Sequence, residues 1–264
     1  MKVHALWIYP VKSLAGIPVD DFVLDDFGPA GDRRWMIIDD ERRFVTQRSH
    51  PELATIATAM VDGKVGVDIP GQGRFQLTPS STELRALVWN DWVPALEATE
   101  DANAALSQFY GASLRFVYMP DESFRRVDTA RVLDRRRVSF ADGFPLLVTT
   151  TASLAELNER LAAPVEMRRF RPNLVVAGSA PWAEDGWREL TVGDIRFSLV
   201  KPCSRCVMTT VDPDAGTKDP EVQPLRTLSS YRRTAEGVLF GMNAIHESTG
   251  RIRVGDPITV NPTE

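Results

Sequence analysis

The amino-acid sequence predicts a mainly β protein with a few helices, an α+β chain arranged as two β-barrel-like domains. Three observations lead to this class. Short runs of β-branched and aromatic residues, the types that favour strands, recur along the chain. Eighteen prolines and 17 glycines separate these runs with turns. Two Gly-Asp pairs stand between segments of alternating apolar residues, which is the pattern of a tight hairpin.

The strand-like runs are distributed over the whole chain. The clearest ones in the first half are residues 3–8, 34–38, 65–69, 84–89 and 114–118. In the second half, alternating segments flank Gly193-Asp194 and Gly255-Asp256, and we expect a hairpin at each pair. Many short strands separated by turns are typical of barrels and sandwiches.

Two segments are predicted to be helical. Residues 101–110 carry apolar residues at helical spacing, and Gly111 follows at the place where a glycine commonly ends a helix. Residues 153–161 begin with Ser153 and Glu156, three positions apart, which is the pattern of a capping box. Both helices are short, so the chain remains mainly β.

A change of composition near residue 120 indicates a domain boundary. Residues 120–137 are rich in arginine and poor in periodic apolar residues. We interpret this stretch as the connection between a domain of residues 1–120 and a domain of residues 121–264. The alternative is that it forms a surface loop of one domain.

The composition excludes several classes of protein. The chain has 264 residues, 43% of them hydrophobic and 25% charged, which is a globular balance with enough length for a substantial core. Its net charge of -5 argues against a nucleic-acid-binding protein. No apolar run approaches the ~20 residues of a membrane span, and the N-terminus lacks the apolar stretch of a signal peptide. We therefore expect a cytoplasmic protein that binds neither nucleic acid nor membrane.

The most informative segment contains the two cysteines, Cys203 and Cys206. We expect residues 197–200 to form a strand that Pro202 ends, and residues 207–211 to resume a strand before a turn at Asp212-Pro213. Lys201 and Arg205 stand beside the cysteines, and nearby cations favour the thiolate, which is the form that binds metals or attacks. Two thiols this close together are unsuited to a disulfide framework.

The spacing of the cysteines alone leaves several interpretations. A zinc ribbon needs two further ligands, but His4, His50 and His246 are scattered along the chain. A thioredoxin-like motif should open a helix, whereas β-branched residues follow here. Two structural cysteines in a loop remain an alternative.

The segment around the cysteines also resembles a known family. The run Cys-Ser-Arg-Cys-x-x-Thr-Thr-Val-Asp-Pro is similar to the signature of MOSC-domain proteins, in the branch that includes the mitochondrial amidoxime-reducing component and bacterial YcbX-type proteins. Further segments resemble that branch in the expected order: residues 9–13 (YPVKS), 31–35 (GDRRW), 140–143 (FADG), 169–173 (RFRPN) and 254–257 (VGDP). The resemblance spans nearly the whole chain, and it implies an N-terminal β-barrel domain followed by a MOSC β-barrel.

The resemblance implies a molybdopterin cofactor, with Cys206 and not Cys203 as the protein ligand of the molybdenum. A soft thiolate suits a metal already held by the sulfur atoms of the pterin. The positions that match the family's cofactor contacts are Lys12, Ser13, Arg33, Asp142, Arg171, Asn173, Ser204 and Arg205, with Asn243 as a weaker candidate. Asp212 is a candidate for proton delivery, and capping of its own turn is the alternative.

The chain also departs from the human-type relatives, which have small hydroxyl residues where this sequence has Gly143 and Phe144. The expected activity is reduction of N-hydroxylated compounds to amines, but the individual substrate is not carried over. The chain lacks the four cysteines of an iron–sulfur relay and a dinucleotide fingerprint, so we expect a separate ferredoxin- or cytochrome-type electron donor with its reductase. The alternatives are a cofactor carrier or sulfur-transfer module, and a scaffold that binds no cofactor.

Overall fold

The computed structural model describes residues 1–262, and strands dominate this part of the chain. In chain order, the strands are β1 (Lys2–Ile8), β2 (Ile17–Val19), β3 (Asp21–Asp25), β4 (Gly28–Pro29), β5 (Trp35–Ile38), β6 (Ala57–Val61), β7 (Lys64–Ile69), β8 (Gly73–Gln76), β9 (Pro79–Val88), β10 (Asp91–Ala98), β11 (Arg115–Tyr118), β12 (Leu146–Thr150), β13 (Leu174–Ala177), β14 (Trp187–Val192), β15 (Ile195–Arg205), β16 (Arg233–Thr234), β17 (Gly237–His246), β18 (Gly250–Arg253) and β19 (Ile258–Pro262). The helices are α1 (Glu100–Tyr110), α2 (Thr151–Glu159) and α3 (Leu225–Tyr231), with short 3-10 helices at Pro51–Thr55, Met167–Phe170, Ala183–Gly186 and Val207–Thr210. The predicted mainly β class is confirmed.

The largest sheet contains strands from both ends of the chain. Its order is β19-β14-β15-β17-β12-β13-β1-β2, with β16 added beside β17. The N-terminal strand β1 pairs antiparallel with β13, so that Leu6 lies opposite Leu174. Within residues 1–262, no strand pairing joins β19 to β2, but an isolated bridge between Lys2 and Pro257 links β1 to the residue before β19. The division into two domains near residue 120 stays a prediction.

Three smaller sheets complete the fold. Their orders are β5-β11-β10-β9, β18-β3-β4 and β6-β7-β8. Helix α1 packs on the first and third of these, and the buried residues Leu106, Val67 and Phe116 share one apolar cluster. The apolar cluster of the large sheet is separate and includes Val148 and Phe197.

Of the two expected hairpins, one is confirmed and one is wrong. Strands β14 and β15 pair across Gly193-Asp194 as expected. Strands β18 and β19, on either side of Gly255-Asp256, instead pair with β3 and β14. The backbone of Val3 bonds to the turn between these strands. The Val3 carbonyl accepts from the N–H of Gly255, and the Val3 N–H donates to the carbonyl of Asp256. The two strands therefore enter different sheets.

The helix predictions are right in location and partly wrong in their caps. Helix α1 ends before Gly111, whose φ of 75° is the left-handed conformation expected of a terminal glycine. Helix α2 begins earlier than predicted, because the Thr150 side chain accepts from the backbone N–H of Ser153 and caps it. The predicted capping box is wrong, since Ser153 lies inside the helix and its hydroxyl donates to Glu184.

The cysteine segment also differs from expectation. Strand β15 continues through Pro202, with irregular register on both sides of it, so the proline bends the strand and does not end it. Val207–Thr210 is a 3-10 helix where a strand was predicted. The hydroxyls of Thr209 and Thr210 donate to the carbonyls three residues earlier, and these local bonds favour the turn over a strand.

The arginine-rich segment 120–137 is anchored to the rest of the molecule. Val127 is buried, and Arg126 bridges to Arg137 in the manner of a short hairpin. Arg125 is buried and donates to the carbonyls of Ser139 and Ala141. This arginine fixes the backbone immediately before Asp142.

Candidate functional site

A cavity of about 320 Å³ lies between the segment after β1, the segment before β12 and the end of β15. It brings together ten of the predicted site residues: Lys12, Ser13, Arg33, Asp142, Arg171, Asn173, Ser204, Arg205, Cys206 and Asn243. These positions are far apart in sequence and come from both halves of the chain. The β1–β13 pairing is what brings the two halves to one place.

Two cations converge on Asp142, and with Trp89 they form what we call the Asp142 cluster (Lys12, Arg48, Trp89 and Asp142). Lys12 Nζ donates to Asp142 Oδ1 and to the carbonyl of Phe140. Arg48 Nη2 donates to Asp142 Oδ2 at 2.9 Å. Burial works to raise the pKa of the Asp142 carboxyl, but the charges of Lys12 and Arg48 prevail and hold it well below its usual range. Burial lowers the pKa of Lys12 to about 8.

A second group, the Tyr9 cluster (Tyr9, Arg33 and Arg171), stacks two cations on one ring. The guanidinium carbon atoms of Arg33 and Arg171 lie 4.5 and 4.2 Å from the centre of the Tyr9 ring. Arg171 Nη1 donates to the carbonyl of Leu14 at 2.6 Å. Burial lowers the pKa of Arg171 to about 10, and the neighbouring charge of Arg33 acts in the same direction. A guanidinium in this position gains from any negative charge placed beside it.

Arg33 is held by a network that crosses the molecule. Its Nη1 donates to Asp32 Oδ2 at 2.6 Å and to Asn173 Oδ1 at 3.0 Å. The Asn173 amide nitrogen donates to Asp32 Oδ1 at 3.1 Å. Asn173 is fully buried, and its role in this structure is to orient Arg33. The network gives the Tyr9 cluster a fixed geometry before any ligand arrives.

Three polar atoms that belong to cavity-lining side chains are buried without a hydrogen-bond partner: Arg171 Nη2, Arg205 Nε and Ser13 Oγ. Buried polar groups are normally hydrogen-bonded, and leaving one unpaired is unfavourable. Two of the three atoms are donors on cations, and the third is a hydroxyl. A ligand rich in anionic oxygen atoms, such as a phosphate, supplies the acceptors that these groups lack.

Both cysteines are free thiols that line the same cavity, but their neighbours differ. Arg205 Nη1 donates to Cys203 Sγ at 2.9 Å. Cys206 stands immediately before the 3-10 helix. Burial works to lower the pKa of Arg48, but the interactions of its guanidinium with Asp142 and with the Cys206 sulfur raise it. Cys206 therefore belongs beside the Asp142 cluster, and Cys203 has its own cation.

Ser204 is packed against a glycine with no room for a side chain. A Cβ atom added to Gly237 would lie 2.1 Å from Ser204 Oγ. Gly237 has a φ of 115°, a conformation that other residues rarely adopt. This close packing fixes Ser204. Asn243 lies opposite Lys201 on the neighbouring strand and also lines the cavity.

Asp212 is the one predicted site residue that the structure leaves outside the cavity lining. Its Oδ1 accepts from the backbone N–H groups of Asp214 and Ala215, and its Oδ2 accepts from Arg169 at 2.9 Å. These contacts cap the turn and orient Arg169. The geometry therefore favours the turn-capping alternative over proton delivery.

Among the cavity residues that sequence reasoning did not assign to the site are Arg48, Trp89, Arg169 and Met208. Arg169 begins the Arg-Phe-Arg-Pro-Asn motif, so the motif itself could have identified it. Arg48 and Trp89 lie in turns without a chemical motif, and Arg48 meets Asp142 from 94 positions away. No local pattern indicates such a contact.

Among residues 1–262, no group of three or more His, Cys, Asp or Glu side chains is placed to hold a metal ion. A metal that carries most of its ligands within an organic cofactor needs only one thiolate from the protein.

No helix in the described part of the chain is long and apolar enough to cross a membrane.

The fold and the cavity define a mainly β protein that presents free thiols and unpartnered cationic donors to one ligand site. Two family models match the chain: the MOSC N-terminal beta barrel domain over residues 1–113 and the MOSC domain over residues 135–259. The human protein named mitochondrial amidoxime-reducing component 1 is 35% identical over 97% of this chain and 82% of its own length. The human mitochondrial amidoxime reducing component 2 is 34% identical over 97% of this chain and 82% of its own length. The chain belongs to the family of MOSC-domain proteins that contains these relatives.

A more distant similarity concerns a much larger protein. The molybdenum cofactor sulfurase of Oryza sativa subsp. japonica is 30% identical over 92% of this chain, which corresponds to 32% of that protein.

Proposed function

We propose that the protein is a molybdenum-cofactor-dependent oxidoreductase that reduces N-hydroxylated compounds to amines. One observation carries the proposal: a free thiol and three side chains with a buried, unpartnered polar atom, two of them cations, line one cavity. The names of the relatives support both parts of it, since two are amidoxime-reducing components and one is a molybdenum cofactor sulfurase.

The residues of the cavity fit a molybdopterin cofactor. Cys206 would supply the thiolate for the metal. Arg171, Arg205 and Ser13 would satisfy their unpaired groups on the phosphate and on the polar edge of the pterin. Arg33 and Asn173 arrive already oriented by Asp32. When bound, the cofactor supplies the two-electron reduction that breaks the N–O bond.

The protein's own residues handle charge and protons around that step. Reduction of R–NHOH to R–NH₂ and water consumes two electrons and two protons. Asp142 is held ionised by Lys12 and Arg48, so its carboxylate accepts hydrogen bonds and does not donate a proton at neutral pH. Lys12, with a pKa of about 8, carries its proton at neutral pH and holds it at Nζ beside the cavity. Within the Asp142 cluster, Lys12 is therefore the group whose pKa lies nearest to neutral pH, as proton transfer requires.

A second candidate function is sulfur transfer or cofactor carriage. Arg205 Nη1 donates directly to Cys203 Sγ at 2.9 Å, so a cation lies against a thiol that the reductase proposal does not use. The named activity of the rice relative points in the same direction. In this case Cys203 would hold a persulfide, and N-hydroxylated compounds would not be reduced.

Metal analysis, pterin fluorescence and turnover test the proposal together. The purified protein should contain molybdenum and pterin, and it should reduce benzamidoxime with a reduced viologen dye. It should not do so with NADH or NADPH alone, because electrons must come from a separate ferredoxin- or cytochrome-type protein and its reductase. Cofactor without turnover under reduced viologen would favour the carrier, and absence of both metal and pterin would exclude the two functions.

A further inference from the structure

Trp89 is an exposed aromatic residue at the cavity. It follows β9 directly, in the short turn that joins β9 to β10, and its indole lines the same cavity as Cys206. Its exposed fraction is 45%, which is high for the largest apolar side chain. Burial therefore does not explain its presence at this position.

Three contacts fix the plane of the indole. Its ring centre lies 5.1 Å from that of Phe44. The Arg48 guanidinium lies 4.9 Å from the centre of the indole ring, and Trp89 Nε1 donates to Asp142 Oδ1 at 3.3 Å. Trp89 thus reaches from the β9–β10 turn to a carboxylate of the other half of the chain. It forms the aromatic part of the Asp142 cluster.

The backbone of Trp89 is in an unfavourable conformation. Its φ is 55°, in the left-handed region that bulky side chains rarely adopt. Val88 and Asp91 pair directly, so Trp89 and Asn90 form a two-residue hairpin turn, and turns of this length require a positive φ at their first residue. The contacts with Phe44, Arg48 and Asp142 hold the side chain in place.

A second exposed tryptophan near this turn, Trp92, allows a comparison with Trp89. Trp92, three residues later, has an exposed fraction of 47% but does not line the cavity. It stands in the regular part of β10, opposite Leu87. Of these two exposed tryptophans, only Trp89 combines the unusual backbone with a position at the cavity.

We infer that Trp89 is a specificity-determining residue, which selects substrates with a flat aromatic group by stacking against them. This inference rests on the proposed reductase function. An aromatic plane held rigidly at a cavity favours an offset-stacked or edge-to-face partner over an aliphatic group of similar polarity. Phe144, which is buried and lines the same cavity, adds a second apolar wall.

The test uses binding without turnover. In the absence of an electron donor, benzamidoxime and acetamidoxime serve as unreacted probes, and titration calorimetry of the cofactor-loaded protein gives Kd for each. Trp89→Ala should weaken benzamidoxime binding about two- to tenfold more than acetamidoxime binding, the range of an aromatic pair. Trp89→Phe should keep most of the preference for benzamidoxime, whereas Trp89→Leu should lose it. Trp92→Ala is the matched control and should change neither Kd.

The outcomes separate stacking from a supporting role. Equal weakening of both probes in Trp89→Ala and Trp89→Leu would show that Trp89 only holds Arg48 and Asp142 in place, and would overturn the inference. Unchanged benzamidoxime binding in both variants would overturn it as well. The proposed function fails on a different measurement, the absence of turnover by the wild-type protein with reduced viologen, while the ratio of the two Kd values still tests Trp89.

Discussion

Arg33 and Arg171 of the Tyr9 cluster and all four residues of the Asp142 cluster line one cavity, and the two clusters differ in how their cations are paired. In the Asp142 cluster, two cations already share a carboxylate. In the Tyr9 cluster, Arg171 has only a carbonyl partner, and its Nη2 is buried without one. Asp32 pairs with Arg33 in the Tyr9 cluster, so each cluster has two cations and one carboxylate. The difference is that Asp142 bonds both of its cations, whereas Asp32 bonds only Arg33 and leaves Arg171 without a carboxylate partner. The cavity thus has one part suited to hold a ligand and one part suited to a reaction beside Cys206.

The largest effect should come from the thiol beside the Asp142 cluster. Cys206→Ser should abolish reduction of benzamidoxime, because a hydroxyl is a hard substitute for a soft thiolate ligand. Cys203→Ser should retain most of the activity. The measurement is turnover with reduced viologen, together with molybdenum content. Equal loss in the two variants would indicate paired-thiol chemistry and would remove the distinction between the cysteines.

The next effect tests Arg171, the cation of the Tyr9 cluster that has no carboxylate partner. Arg171→Ala should lower pterin affinity roughly tenfold or more, since a hydrogen bond to a charged group contributes about 1.5–3 kcal/mol. Pterin fluorescence of the purified protein, corrected for protein concentration, measures the occupancy. Arg126→Ala is the control, because Arg126 does not line the cavity and its Nη2 donates to the carbonyl of Leu133. Full occupancy in a folded Arg171→Ala variant would place the phosphate elsewhere.

A smaller effect is expected when the pH dependence of kcat is measured, and it tests the Asp142 cluster. Lys12 is protonated below its pKa of about 8 and neutral above it. As pH rises through 8, Asp142 loses one of its two cations and the cavity loses a proton donor, so kcat should fall. In Lys12→Arg the guanidinium stays charged, and the fall near pH 8 should disappear even if activity is lower. A profile that is identical in wild type and variant would mean that another group controls it.

The smallest effect concerns a buried carboxyl whose hydrogen bonds come from hydroxyl groups. Glu184 is fully buried, and its Oε2 accepts from Thr150 and Ser153. Burial raises the pKa of Glu184, in contrast to Asp142. The folded state therefore holds this proton more tightly than the unfolded chain, and its stabilising contribution is present at acid pH and lost as pH rises through the folded pKa. Glu184→Gln should raise the free energy of unfolding at pH 8 by about 1 kcal/mol and leave it nearly unchanged at pH 4. Denaturant unfolding at the two pH values measures the difference, and a variant destabilised at pH 8 would contradict it.

The sequence predicted elements wherever a local pattern decides the structure. Strands β1, β5, β7 and β11 coincide with alternating or continuous apolar runs, and Gly111 ends α1 as its position indicates. The Val207–Thr210 helix was mistaken for a strand because threonine favours strands in general, whereas here two threonine hydroxyls bond back to the chain. The second hairpin was wrong for a reason that no local pattern contains, since the backbone that captures its turn belongs to Val3.

The same distinction holds for the candidate site. Motif resemblance found Lys12, Asp142 and Cys206, and the structure places them along one cavity. Sequence reasoning did not find Arg48 and Trp89, because what connects them to the site is their contact with Asp142, which is far away in sequence. Asp212 was a candidate for proton delivery with turn capping as the alternative, and its Oδ1 accepts from the backbone of its own turn.

The pairing of β1 with β13 has a consequence for the protein during its synthesis. Leu6 leaves the ribosome early, but its partner Leu174 follows only after 168 further residues, and Cys206 comes later still. At about 5–20 residues per second, β1 must wait on the order of ten seconds for the strand that completes its sheet. The Tyr9 cluster, which follows β1 and needs Arg171, stays unassembled for the same interval. Under the proposed function, binding of the anionic cofactor must therefore follow synthesis of residue 171, and a nascent chain stalled before that residue should be unable to retain the cofactor.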